Sequence, residues 1–379
     1  MLKISDSIRD LDESDIGDNL LYYDYHIKHL LSLIKKGVDR EDQAYQSSYR
    51  SFEGEVFENY IYEKLLRYVT TQDSVEKFIL KGPHKKRSRA LSNALSANWK
   101  GQIVYRTKRN EIGEFDAMIF TKKQLYFVEM TLTKNLGNLK KRLRKKKALL
   151  ETLFPHYEVK ALLILNEGVG GVKQLPPYAS AWVTKPFSAE NTLKWLLQNK
   201  KMRRKPFLRV KDKRNVNTAN LKTRPFRYYN TLSWILSKIR TKKDVLNMDF
   251  LTSKTVSRYH DLFTKIYIGY ITPGEFDLIF PTLGKTTDSN IIVALEKEHN
   301  NTFTLNYFMR YSRKDLDLIT HKNGTLNVVK KDPYGVTVTE IAHMLKTMNA
   351  SHELKKDDLE AVKRLICRED RLQGQSPED

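Results

Sequence analysis

Along the first half of the chain the spacing of apolar positions switches repeatedly between helical and extended periods. Residues 18–36 carry Leu20, Leu21, His26, Ile27, Leu30, Leu31 and Ile34 at mostly helical spacing and close on Lys35, Lys36 and Gly37, which predicts one helix. A longer helix is predicted from residue 40 or 43 to 69, where Phe52, Val56, Tyr60 and Phe57, Ile61, Leu65 form two rows at i, i+4 and i+8. Glu55, Glu58 and Tyr62 lie on an adjoining face, so Glu58 stands where the core would meet a cleft. Short strands are expected at 76–81 and 102–105, with a short helix between them at 90–99.

Residues 113–120 (GEFDAMIF) and 124–134 (QLYFVEMTLTK) read as two strands joined by a polar turn at 121–124. Asp116 and Glu129 are isolated carboxylates in these apolar runs. Burying a carboxylate is costly unless it is paired or coordinates a metal. Alternation puts Glu114 and Asp116 on one side of the first strand and Phe127, Glu129 and Thr131 on one side of the second, so a hairpin would let Asp116 and Glu129 converge.

Residues 138–154 predict a helix that sets Leu139, Leu143, Leu149, Leu150 and Leu153 against Lys140, Lys141, Arg142, Arg144, Lys145, Lys146 and Lys147. The near-continuous apolar run 159–165 has the profile of a strand buried on both faces, 180–184 is one more strand, and 190–199 a closing helix. This order predicts an α/β domain over residues 50–199, preceded by a helical extension at 1–49 whose first 17 residues read as a loose arm. Residues 200–227 change character and read as a basic linker.

Residues 228–379 predict a second, α+β domain. Helices are expected near 229–239 and 256–263, and strands at 264–271, 277–280, 290–295, 302–309 and 325–329. An Asn-Gly turn at 323–324 marks a hairpin, a capping box at 337–340 precedes a helix, and a last helix covers 357–367. A helix pair after a hairpin is compatible with a winged-helix-like DNA reader, although helix pairs have many structural uses. Residues 274–280 (GEFDLIF) echo 113–120, but Pro281 and a longer following loop argue for coincidence over duplication.

Composition then narrows the function. With 67 Lys and Arg against 45 Asp and Glu, the net charge of +22 suits a polyanionic partner, nucleic acid first. Lys85, Lys86 and Arg87 in a loop, Lys140, Lys141, Arg144 and Lys145 on the basic helix, and Arg203 and Arg204 in the linker are the expected backbone contacts. Cys367 is the single cysteine, which excludes an intrachain disulfide and a cysteine-rich zinc site. His26 and His29 lack a nearby third ligand and read as surface residues. No apolar run of about 18 residues exists, and the N-terminus lacks a signal-peptide layout. The expectation is a cytoplasmic protein, nuclear in a eukaryote, with no membrane partner.

Glu58 on a helix, Asp116 after Gly-Glu-Phe, and Glu129 on the following strand, with a helix behind, together resemble the PD-(D/E)xK nuclease superfamily. The resemblance covers about residues 50–190. It implies a restriction-endonuclease-like mixed sheet flanked by helices, with Glu58, Asp116, Glu129 and the carbonyl of Met130 holding Mg²⁺ or Mn²⁺. It implies a metal-dependent endonuclease acting on DNA more than RNA. The chain departs from the family at Thr131, which stands where the motif has lysine. Lys134 is the expected substitute, with Lys140 and Lys141 behind it. The alternatives are a non-catalytic nucleic-acid-binding protein on a nuclease-like scaffold, or the nuclease subunit of a mobile-element or viral complex. A homodimer, or a protein partner docked through the C-terminal domain, stays open.

Overall fold

The computed structural model describes residues 16–85, 91–98, 100–108, 110–134, 136, 139–198, 216–218, 221 and 223–241, then 245–246, 253, 259–263, 265–271, 291–297, 303–310, 316–322, 325–330 and 352–353. The chain divides into two compact units, Met1–Arg227 and Tyr228–Asp379.

In the first unit, α1 (Ile16–Leu20) and α2 (Lys28–Lys35) precede the long α3 (Gln43–Thr71). Asp42 starts α3 because its carboxylate accepts the N–H groups of Ala44 at 2.8 Å and Tyr45 at 3.4 Å, amides that a helix start otherwise leaves bare. The single helix expected over 18–36 is interrupted between α1 and α2. There the Tyr23 hydroxyl donates to Glu63 at 2.7 Å, the Tyr25 hydroxyl to the Leu20 carbonyl at 2.7 Å, and the His26 N–H to Glu55 at 2.8 Å. Tertiary hydrogen bonds outweigh the helical period of a short stretch.

A six-stranded mixed sheet forms the centre of the unit. Its order is β8 (Ala179–Val183), β7 (Glu158–Leu165), β6 (Gln124–Thr131), β5 (Ala117–Phe120), β1 (Lys77–Leu80) and β9 (Val216–Thr218). β6, β7 and β8 run parallel, while β5 is antiparallel to both β6 and β1. Phe57, Ile61 and Leu65 of α3 pack on the sheet face made by Phe78, Ile119, Val128 and Ile164. Further back, Phe52 and Val56 of α3 join Leu20, Leu30 and Leu193 in a second core, so the helices before residue 50 share the core of the sheet domain. The helix α4 (Leu139–Leu153) borders the other face, beyond which Phe154 meets Phe120 edge-on at 5.4 Å. α5 (Glu190–Gln198) contributes Leu193 to the second core.

A separate three-stranded antiparallel sheet joins β2 (Ala94–Ala97), β3 (Ile103–Arg106) and β4 (Glu111–Phe115). The short helix expected at 90–99 is therefore the strand β2 where described. Asn93, at φ 54, turns the chain into it, and a left-handed residue stops a helix at that point. The one long strand expected over 113–120 is also split, since β4 belongs to the small sheet and β5 to the large one. The break falls at Asp116.

Within the segment read as a linker, residues 216–218 form β9, parallel to β1, and buried Phe226 accepts the Tyr105 hydroxyl at 2.8 Å on its carbonyl. That part of the segment belongs to the first unit.

The second unit contains α6 (Tyr228–Ile239), a short pair β10 (Arg240–Thr241) and β11 (Val245–Leu246), and an antiparallel sheet. The sheet runs β12 (Lys265–Ile271), β13 (Ile291–Lys297), β14 (Phe303–Arg310), β15 (Leu316–Lys322) and β16 (Thr325–Lys330), with β17 (His352–Glu353) also paired to β14. Lys322 pairs with Thr325, the register of a hairpin closed by a two-residue turn. The Asn-Gly pair, the strand and echo at 274–280, and the helices at 337–345 and 357–367 lie outside the described residues.

Candidate active site

Where the chain leaves the small sheet for the large one, Asp116 stands at the end of the β5–β6 hairpin. The register pairs Ala117 with Val128, and one further step brings Asp116 opposite Glu129. The Met130 N–H donates to Asp116 Oδ2 at 2.8 Å, which closes that end of the hairpin. On the other side of β5, Lys77 pairs with Phe120 and Phe78 with Ile119, and Lys81 follows the end of β1, from where its charge acts on Glu58 and Glu114. The hairpin thus brings Asp116 and Glu129 to one end of the sheet.

Glu129 is only 1% exposed, and both of its oxygens face cations from α4. The Lys146 ammonium bonds Oε1, and Arg142 lies 3.3 Å from Oε2. Arg142 and Lys146 are one helical turn apart, so a single face of α4 supplies both. Burial pushes the Glu129 carboxyl up to about 7 against the pull of Lys146, with the Asp116 charge adding to the rise.

Glu58 reaches the same electrostatic field from α3. Burial raises its carboxyl to about 8, the charge of Asp116 adds to that, Lys81 opposes it, and Glu114 and Glu129 raise it further. Glu114, on β4, is raised by burial and then by Asp116. Its carboxylate also accepts the Gln102 side-chain amide. Lys81 is 7% exposed; its backbone N–H donates to the Tyr62 hydroxyl at 2.9 Å, and its ammonium lies 5.1 Å from the Tyr62 ring centroid.

Among the described residues no three His, Cys, Asp or Glu side chains are arranged to hold a metal ion. Glu129 is turned to the α4 cations, and Asp116 to a backbone N–H. The donor chemistry nevertheless fits a hard divalent cation, because Glu58, Glu114, Asp116 and Glu129 are carboxyls whose charges act on one another. The backbone of Met130 lies beside Asp116, where the resemblance would place its carbonyl among the ligands.

Thr131 ends β6 half-buried, and Lys134 lies exposed beyond it. The lysine that contacts Glu129 is Lys146, not Lys134. Lys140, Lys141, Arg144 and Lys145 lie half-buried along α4, with Lys140 donating to Gln174 at 3.2 Å. The Lys85 ammonium donates to the Asn98 carbonyl. Lys86, Arg87, Arg203 and Arg204 lie outside the described residues.

Beside the acids a cleft of about 230 Å³ opens, lined by Glu58, Glu114 and Lys81 on the inside and by His26, Glu55 and Lys100 toward solvent. One wall is fixed by a buried network. Glu63, fully buried, accepts His84 Nε2 at 2.5 Å, the Tyr23 hydroxyl at 2.7 Å, Arg67 at 2.8 Å and the Asn19 amide at 3.0 Å. Burial alone would raise this carboxyl, but His84, Arg67 and Tyr23 outweigh it and hold it at about 2.

Three of these residues escape the sequence reading, and each left a trace. Lys146 interrupts the apolar row Leu139, Leu143, Leu150, Leu153, the position of a core residue. Glu63 continues the row Phe52, Val56, Asn59 toward Leu66. Lys81 follows an apolar strand directly. A charge in an apolar register is the signal for a buried partner. Compared with protein-family models, curated proteins and solved structures, the chain matches none.

Proposed function

We propose that the first unit is a restriction-endonuclease-like domain and that the protein is a metal-dependent nuclease cleaving phosphodiester bonds of DNA. The observation that carries this reading is the Met130 N–H bond to Asp116, which holds Asp116 beside the Glu129 end of β6, with Glu58 in the same field. Glu58, Asp116, Glu129 and the Met130 carbonyl would hold Mg²⁺ or Mn²⁺. Such an ion, when bound, activates water and neutralises charge developing on the phosphate.

The chain's own residues divide the remaining work. Asp116 holds the end of β6 in place, and its charge acts on all three glutamates of the cluster. Lys146 and Arg142 keep Glu129 oriented until it turns to a ligand. Lys81 sets a positive charge beside Glu58 and Glu114. The cations Lys140, Lys141 and Lys145 of α4 hold the nucleic-acid backbone, and the net charge of +22 draws it in.

A second reading has an observation in its favour: both oxygens of Glu129 face α4 cations, and Thr131 replaces the motif lysine. On that reading the domain binds nucleic acid without cutting it. Incubation of plasmid, linear duplex, single-stranded DNA and RNA with Mg²⁺, Mn²⁺ or EDTA decides between them. Cleavage that needs the metal and disappears in Asp116→Ala and Glu129→Ala is expected. Full activity in both variants overturns the nuclease assignment, and tight, salt-sensitive binding with no metal affinity favours the scaffold.

A further inference from the structure

The cleft beside the acids is small and polar, and charges of both signs line it from the inner end to the mouth. Glu58 and Glu114 lie within it with Lys81, whereas Lys100 is exposed at its mouth, 2.8 Å from His26 Nε2. Its dimensions are fixed from two sides. Gly82 N–H donates to the Gly101 carbonyl at 3.0 Å, and a Cβ on Gly101, at φ +88, would meet the Gly82 nitrogen at 2.8 Å. Opposite, Tyr23 is tied to buried Glu63 at 2.7 Å, and His26 to Glu55 at 2.7 Å.

At about 230 Å³ the space has room for one base or one sugar-phosphate unit. It falls below the roughly 300–1,000 Å³ of pockets that enclose drug-sized ligands. A base pair, with two bases side by side, exceeds that space. Tyr22 lines the cleft and offers an aromatic ring, the surface on which unpaired bases stack in strand-binding proteins.

We propose that this cleft receives one unpaired base of a single DNA strand, with Tyr22 stacking on it and with Lys81 within and Lys100 at the mouth drawing the adjoining phosphates. The inference rests on the nuclease reading for the identity of the polymer, and it adds that the substrate is single-stranded, frayed or flapped where it meets the acids. Duplex flanking that point would lie on α4.

Fluorescence anisotropy in a Ca²⁺ buffer tests the proposal, with one labelled strand measured alone and annealed as a blunt duplex. The single strand is expected to bind at least ten-fold more tightly. Lys100→Met should weaken strand binding several-fold and leave duplex binding unchanged, and Lys81→Met should weaken strand binding at least as much. Lys100 is exposed, so its variant keeps the test valid should Lys81→Met fail to fold. A 2-aminopurine within the strand should brighten on binding as it leaves its stacked neighbours. Equal affinity for strand and duplex, or variants that weaken both alike, overturns the proposal. A strand preference without any metal-dependent cleavage sinks the nuclease reading and keeps the cleft assignment; duplex cleavage without a strand preference does the reverse.

Discussion

Lys146 places its ammonium against Oε1 of Glu129, so the second acid of the site is balanced from a helix and not from its own strand. Both groups are buried, at 10% and 1% side-chain exposure. Removing one member of such a pair leaves the other charge uncompensated in a dry site, which costs roughly 3–5 kcal/mol.

Lys146→Met should therefore destabilise the fold by about 3 kcal/mol, a discount on that range because Arg142 remains 3.3 Å from the acid. Adding Glu129→Gln should recover much of the loss. Urea unfolding of the two single variants, the double variant and the parent gives the coupling; a value below about 0.5 kcal/mol would mean the pair is not coupled in the folded protein.

The raised carboxyls make stability depend on pH in a definite direction. Glu58 and Glu129 titrate near 8 and 7 in the fold, against 4.5 as the ordinary value, so the folded state binds protons that the unfolded chain releases. The stability they contribute is complete below pH 4.5 and is lost as pH rises through 7 and 8. Melting temperatures in EDTA should fall from pH 5 to pH 9. Mn²⁺ should restore them at pH 8, where the acids are ionised, and do little at pH 5. Glu58→Gln should flatten the upper part of this fall. A melting temperature indifferent to both pH and Mn²⁺ would argue against a carboxylate cation site.

What could be seen in the sequence was whatever repeats locally. α3, the β5–β6 hairpin, α4 and β7 have strong periods, and the structure places them within a few residues of the expected bounds. Asp116 and Glu129 stood out because each was a lone charge in an apolar run. The break at Asp116 did not, because the apolar character of 113–120 continues through it while the hydrogen-bond partners change from β3 to β6 and β1. Lys146 was masked by six neighbouring cations on the same helix, and only its alignment with Leu143 and Leu150 separates it from them. Glu63 joins residues 44 positions apart in sequence, and no local window contains both Asn19 and Glu63.

Glu63 gives a prediction of opposite sign. Its carboxyl is held near 2 by His84, Arg67 and Tyr23 despite burial, so its contribution is present above pH 4.5 and lost as pH falls toward 2. Glu63→Gln should destabilise the fold by about 3–5 kcal/mol at pH 7, with the deficit narrowing near pH 3. Because Tyr23 forms a wall of the cleft, the variant should also weaken single-strand binding. Equal stability of variant and parent at pH 7 would show that the network is not a structural pin.

The α4 cations can be separated by which way they face. Lys146 is committed to Glu129, and the Arg144 Nε is buried, whereas Lys140, Lys141 and Lys145 are only half-buried. If those three touch duplex phosphates, each releases a counterion on binding, and the slope of log Kobs against log salt reports the number. At about 0.9 per contact, replacing all three by glutamine should reduce the slope by roughly 2.7. The loss should be uniform across sequences, since phosphate contacts carry no base information. An unchanged slope would place the duplex on another face of the protein and leave α4 with the single role of balancing Glu129.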